Sequence, residues 1–221
     1  MRGFKTEGII LKRRNFGEAD RILTVFSLQR GKIVVLAKGV RRITSRRAGN
    51  VELLNRVVMY LYQGKGMPVL TEAESLENFE KIKSDLTLST YAFHIIELVD
   101  KLTAENQDNR ILYEHLVEVL KRLSKNPRQV LVRAFEAKIL SNLGFISFKP
   151  YGVYLSHPWG VIGSHLRSLL GYLEEMSWDE IEKMGIKEKE ALELEKVLRY
   201  HVERVIEGSL KSRKFLKWTK N

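Results

Sequence analysis

Ten consecutive residues, Lys38-Gly39-Val40-Arg41-Arg42-Ile43-Thr44-Ser45-Arg46-Arg47, carry five cations and no acid. Guanidinium groups present planar forks of N–H donors that match phosphate oxygens, and glycine and serine let a backbone approach such a group closely. Lys12, Arg13, Arg14, Arg21, Lys32 and Arg56 lie on neighbouring segments, so the cluster belongs to a wider basic surface whose natural ligand is a polyanion. Downstream, Val57 to Tyr62 alternates as a strand does, which puts Tyr60 and Tyr62 side by side on one face. Two such rings form a platform for stacked bases if they meet solvent, and an ordinary packing surface if helices cover them.

No comparable set of groups points to catalysis. His94, His115 and His201 fall within helical patterns and read as core or boundary histidines; His157 and His165 have no cysteine or carboxylate at metal-ligand spacing. Asp179 and Glu180 suit the first turn of a helix better than an acid/base pair. Gly64-Lys65-Gly66 lacks the spacing of a phosphate-binding loop. With no cysteine in 221 residues, disulfides, thiolate catalysis and thiolate-rich zinc sites are excluded. We expect no catalytic residues, no metal and no cofactor. A nuclease or strand-transfer enzyme with unrecognised carboxylates is the rival from that class.

The elements that must position the basic residues differ between the two parts of the chain. Residues 1–70 hold 15 Lys or Arg against 4 Asp or Glu, while the whole chain carries +11, so the remainder is neutral. The basic third is written in short β-rich runs, Gly8 to Lys12, Arg21 to Ser27, Lys32 to Lys38, Val51 to Tyr62 and Val69 to Leu76, separated by glycines. Five strands in this length, with an irregular basic segment between the third and fourth, predict a five-stranded oligonucleotide-binding (OB) barrel, with an SH3-like barrel as the competing architecture. The expected class is α+β: an OB-fold domain over 1–78, then an α-helical domain over 79–221.

In the second part, Leu88, Ala92, Ile95, Ile96, Val99 and Leu102 form one helical stripe and Leu112, Leu116, Val119, Leu120 and Leu123 another. A third helix is predicted to start with Asn126 as cap and Pro127 in its first turn, and to stop at Gly144. Residues 145–163 have no period and read as an irregular cysteine-free lobe. Helices resume at Ser164, at Ser177, where Glu180 completes capping-box spacing, and at about Lys187. A second group of cations, Lys121, Arg122, Lys125, Arg128 and Arg133, surrounds the Asn126-Pro127 turn. No run of about 20 apolar residues suggests a membrane span, and no signal-peptide pattern is present, so the expected location is cytoplasmic.

Thr6-Glu7-Gly8-Ile9-Ile10-Leu11-Lys12, Gly17-Glu18-Ala19-Asp20-Arg21-Ile22-Leu23-Thr24, Gly31-Lys32, Ala37-Lys38-Gly39-Val40-Arg41-Arg42 and Leu61-Tyr62-Gln63-Gly64, in this order, resemble the RecO family of bacterial DNA repair proteins. Phe135 to Gly144 is a weaker echo, and Leu210 to Leu216 is similar to the family's basic end. The resemblance implies an OB barrel followed by helices, and a recombination mediator that binds single- and double-stranded DNA and anneals complementary strands. It also implies the partners RecR and single-strand-binding protein, help in loading RecA, and association with the nucleoid. Many members carry a four-cysteine zinc element where this chain has Ser147 to Gly163, with Gly152-Val153-Tyr154-Leu155 as a remnant, so zinc is not carried over.

The combined expectation is a non-enzymatic DNA-binding mediator. Phosphates are assigned to Lys12, Arg13, Arg14, Arg21, Lys32, Lys38, Arg41, Arg42, Arg46 and Arg47, and bases to Tyr60 and Tyr62. The acidic tail of single-strand-binding protein is assigned to Lys121, Arg122, Arg128 and Arg133. An OB-fold protein for structured RNA or ribosomes is the alternative that charge does not distinguish.

Overall fold

Five strands close into a barrel in the order β1-β2-β3-β5-β4. The computed structural model describes residues 2–148, 156–157 and 160–212. The segment around Gly152–Leu155 and the basic end from Arg213 onward therefore lie outside the described residues. β1 (Arg2–Phe16) is long enough to serve both halves of the barrel: Arg2 to Ile9 pair with β4 (Arg56–Gln63), and Gly8 to Phe16 pair with β2 (Asp20–Ser27) across a bulge between Ile10 and Lys12. β3 (Gly31–Ala37) joins β5 (Val69–Glu77) through a parallel contact at Leu36 and Val69, which completes closure. A closed sheet leaves no unpaired edge.

Alternation decides what faces in. Val57, Met59 and Leu61 of β4 are buried in a core with Ile10, Leu23, Val25, Ile33, Val35 and Leu70. Burying each such side chain contributes roughly 1.5–3 kcal/mol. The run predicted as one strand from Val51 starts as a strand only at Arg56. Val40, Val51 and Leu54 are instead fully buried residues of the β3–β4 loop, with Leu54 in the left-handed region at φ 69°. The Asn55 amide donates to the Gly49 and Asn50 carbonyls and holds that turn. Three apolar anchors thus draw the loop onto the barrel and leave Arg42 and Arg46 exposed.

The compact units do not follow a single cut at 78/79. The barrel unit contains Met1–Asp85, including the short helix α1 (Glu80–Ser84), together with Thr103–Val117. The returning segment lies so close to β3 that a Cβ on Gly31 would fall 1.8 Å from the Gln107 carbonyl oxygen, and Gly31 also has φ +61°. Only glycine fits both conditions. Tyr113 packs its ring near Phe26 and donates its hydroxyl to Glu7 Oε1 at 2.8 Å. Burial and that carboxylate hold the phenol protonated, far above its ordinary range.

The second unit combines α2 (Leu86–Leu102) with the residues from Glu118 onward, which include the end of α3 (Arg110–Lys125), α4 (Gln129–Asn142), α5 (Ser164–Glu175), α6 (Trp178–Lys183) and α7 (Glu188–Val205). A two-stranded pair, β6 (Ser156–His157) with β7 (Gly160–Val161), lies in the segment predicted to be irregular. α4 packs against α2, α5, α6 and α7, and every residue from Val130 to Leu140 is buried. It begins at Gln129 rather than at the predicted Asn126-Pro127 cap. The Asn126 N–H closes onto the Arg122 carbonyl at the end of α3, and the Asn126 amide donates to Glu182. Gly144, at φ +74°, follows the last turn as predicted. The Ser177/Glu180 capping box is present.

Candidate nucleic-acid interface

The arginines of the basic segment divide by what they touch. Arg47 bends back onto its own fold, donating to the carbonyls of Leu70 (2.6 Å), Thr71 (3.2 Å) and Lys38 (2.9 Å). It staples the β3–β4 loop to β5. Arg41 donates to the Gly17 carbonyl at 3.2 Å and its N–H to the Ala19 carbonyl at 2.9 Å, tying the loop to the β1–β2 turn. The Gly39 N–H donates to Asp20 Oδ1 at 2.7 Å. Arg13 and Arg21 both pair with Glu52, Arg21 at 3.1 Å. Arg56 pairs with Glu7 at 2.7 Å and Glu77 at 3.1 Å, bonds that raise its pKa against the opposing effect of burial.

Arg14, Lys38, Arg42 and Arg46 remain exposed, and their side chains have no partner among the described residues. Lys12 is also exposed, whereas Lys32 is half-buried beside the bridge its backbone makes to Glu105. The open cations come from the end of β1, the end of β3 and the β3–β4 loop, regions that the Arg41 and Arg47 bonds draw together. Glu52, 31 to 39 residues from the two arginines it pairs with, is the residue that sequence reading missed, because nothing in local spacing marks it.

Tyr60 and Tyr62 are 41% and 40% exposed on the outer face of β4, so the barrel core does not claim them. Lys5, opposite Tyr60 on β1, places its ammonium 5.2 Å from that ring, within the range of a cation–π contact. The cross-strand register was the signal that would have found Lys5. Thr71 links this face to the basic loop: its carbonyl accepts from Arg47 and its hydroxyl donates to the Tyr60 carbonyl at 2.9 Å. Glu72 lies opposite Tyr60 on β5, so this face carries both signs of charge, unlike the basic loop.

The helical cations are not gathered into an open rim. Arg122 is tied to Glu118, Asp179 and Glu182, and Arg128 donates to the Glu182 and Met184 carbonyls. Both fasten α6 to the corner between α3 and α4. Lys121 is half-buried. Arg133 is buried at 3% exposure, donating to both oxygens of Glu136, which also meets His94 at 2.6 Å. Burial pushes the Glu136 carboxyl up, but the Arg133 charge and the His94 bond outweigh it and hold it below the ordinary range. A cavity of about 110 Å³ adjoins this group, lined also by Glu195, Arg199, Val202, Glu203 and Leu210. Three carboxylates and two guanidiniums line it, and of the four cations assigned to the acidic tail only Arg133 adjoins it. Arg133 is buried for a tertiary reason, since α4 packs against four other helices.

No group of three potential metal ligands converges among the described residues, and the chain has no thiolate. His165 does meet a carboxylate, Glu190 at 2.9 Å, but as an exposed pair. The four-cysteine zinc element carried by many members of the resembled family has no thiolate donor in this chain.

Residues 1–79 match the family model described as recombination protein O N terminal, and residues 83–146 the one described as recombination protein O C terminal. The chain belongs to the RecO family. RecO relatives named DNA repair protein RecO include that of Acetivibrio thermocellus, 40% identical over 147 residues, which are 66% of this chain and 59% of that protein. The RecO of Pelotomaculum thermopropionicum is 35% identical over 145 residues, 66% of this chain and 57% of the relative. That of Heliobacterium modesticaldum is 31% identical over 179 residues, 77% and 65% respectively. The chain covers less than two thirds of the length of each of these RecO proteins. No helix among the described residues is long and apolar enough to cross a membrane.

Proposed function

We propose that this chain acts in DNA repair as a non-enzymatic recombination mediator that binds single- and double-stranded DNA through its barrel. The observation that carries this reading is the set of unpaired cations, Arg14, Lys38, Arg42 and Arg46, on the face of a closed OB-type barrel in a member of the RecO family. Exposed cations without internal partners are available to displace counterions from phosphates, which drives affinity without reading sequence. Lys12 adds to the phosphate surface, and Tyr60 and Tyr62 supply stacking on the adjoining strand. Arg13, Arg21, Lys32, Arg41 and Arg47 shape that surface and contribute less charge to it.

Annealing of complementary strands, contact with RecR and single-strand-binding protein, help in loading RecA, and residence at the cytoplasmic nucleoid rest on the family likeness. The decisive experiment is annealing of two complementary oligonucleotides coated with single-strand-binding protein, with transfer RNA and single-stranded DNA competed at matched salt. Acceleration of annealing and preference for DNA support the proposal. Binding to transfer RNA in preference to DNA replaces it with the RNA-handling alternative, and Mg²⁺-dependent cleavage of the strands replaces it with an enzyme.

A further inference from the structure

Ile43 is 105% exposed at the centre of the basic loop, between Arg41-Arg42 and Arg46-Arg47. A fully exposed β-branched residue contributes nothing to the core, so its side chain is open to a partner. The loop around it is braced: Val40 and Val51 anchor its ends in the core, Arg47 makes its three carbonyl bonds, and the Ser45 N–H donates to the Arg42 carbonyl at 2.9 Å. Arg41 ties it to the turn that follows Phe16, which is itself 49% exposed. An apolar tip thus projects from a stiff frame, and residues 38–51 contain no acid.

We propose that Ile43 is a wedge that enters the base stack of duplex or partly duplex DNA, with Phe16 as a second apolar contact beside it. Charge complementarity selects this occupant. The free guanidiniums of Arg42 and Arg46 on either side of Ile43 engage phosphates and place the apolar side chain against the bases between them. Insertion of an apolar side chain at a base step unstacks it, and cations on both sides keep the opened step in place. For a protein that pairs and re-pairs strands, such a wedge supplies a means of opening short mispaired duplex. The inference rests on the DNA-binding reading above.

The test uses duplex oligonucleotides carrying 2-aminopurine, whose fluorescence rises when the base is unstacked, with binding followed separately by anisotropy. The parent chain should raise the fluorescence severalfold at saturation. Ile43→Ser removes no phosphate contact and no buried surface, so it should melt with the parent and, with each protein compared at its own saturation by anisotropy, lose most of the rise. Phe16→Ser should lose part of it. A parent that binds with no fluorescence rise, or an Ile43→Ser variant that keeps the full rise, overturns the wedge and leaves the DNA reading standing. A parent that does not bind duplex or single strands overturns both. Flotation on phosphatidylglycerol vesicles that depends on Ile43, with an unchanged 2-aminopurine signal in the variant, assigns the tip to a lipid surface and overturns the wedge as well.

Discussion

Replacing Arg14, Lys38, Arg42 and Arg46 together by glutamine removes four cations of this surface that have no partner among the described residues. If each holds one phosphate of a duplex, the slope of log affinity against log salt becomes shallower by about 3.6, since each contact contributes about 0.9. At 0.15 M salt one contact of that slope is worth about 0.7 of a decade, so the quadruple variant should bind about a thousandfold more weakly. The comparison set is Arg13, Arg21 and Arg47. Arg13 and Arg21 share Glu52, so neutralising them also frees an acid, and Arg47 faces carbonyls. A triple glutamine variant of these should change the slope far less. It should lower the melting temperature instead, because Arg47 alone makes three hydrogen bonds whose loss, discounted for partial exposure, costs about 1–3 kcal/mol. Anisotropy titrations from low to high salt, paired with thermal unfolding by circular dichroism, separate the two sets. The reasoning is refuted if the quadruple variant keeps the parent slope, or if the triple variant flattens it equally without losing stability.

Tyr60→Leu with Tyr62→Leu keeps apolar volume but removes the rings, and should weaken single-strand binding by about 1–3 kcal/mol per stacked base while duplex binding changes less; equal losses on both substrates in anisotropy argue against stacking. Glu136→Gln leaves Arg133 buried with only its longer 3.8 Å contact to Glu195 and should destabilise the chain by about 3 kcal/mol in denaturant unfolding. Because the Glu136 pKa is depressed on folding, its stabilisation is present above the unfolded value of about 4.3 and is lost as pH falls through the lower folded value. The parent should therefore lose stability in that acid window, with a smaller loss in Glu136→Gln; parallel pH profiles would count against the pair. Elemental analysis should find no stoichiometric zinc, and a chelator should leave the melting temperature unchanged.

Local chemistry made much of the fold legible. Alternation through Val57–Tyr62 separated the buried valine, methionine and leucine from the exposed tyrosines, because the strand period of two is a property of the backbone. Glycines marked the strand ends, and the Ser177/Glu180 pair and Gly144 marked helix ends, because capping and left-handed residues act over a few positions. The excess of basic over acidic residues in the first third pointed to a polyanion, and the lack of cysteine removed thiolate metal sites.

Which cations are open to a ligand was decided only by tertiary structure. Arg13 and Arg21 look like Arg14 and Arg42 in sequence, yet Glu52 pairs with the first two from more than 30 positions away. Arg47 stands beside Arg46 but turns to carbonyls of β5. Arg133 reads as one of a surface cluster, but α4 is covered on all sides and its charge is answered by Glu136 inside the unit. The return of Thr103–Val117 onto the barrel was likewise invisible, although Gly31 was already required to admit it. Backbone propensity and charge count are local or summed properties and survive in one dimension. The partner of a long flexible side chain depends on which distant segments the core brings within about 3 Å of its tip, and that exists only once the chain has folded.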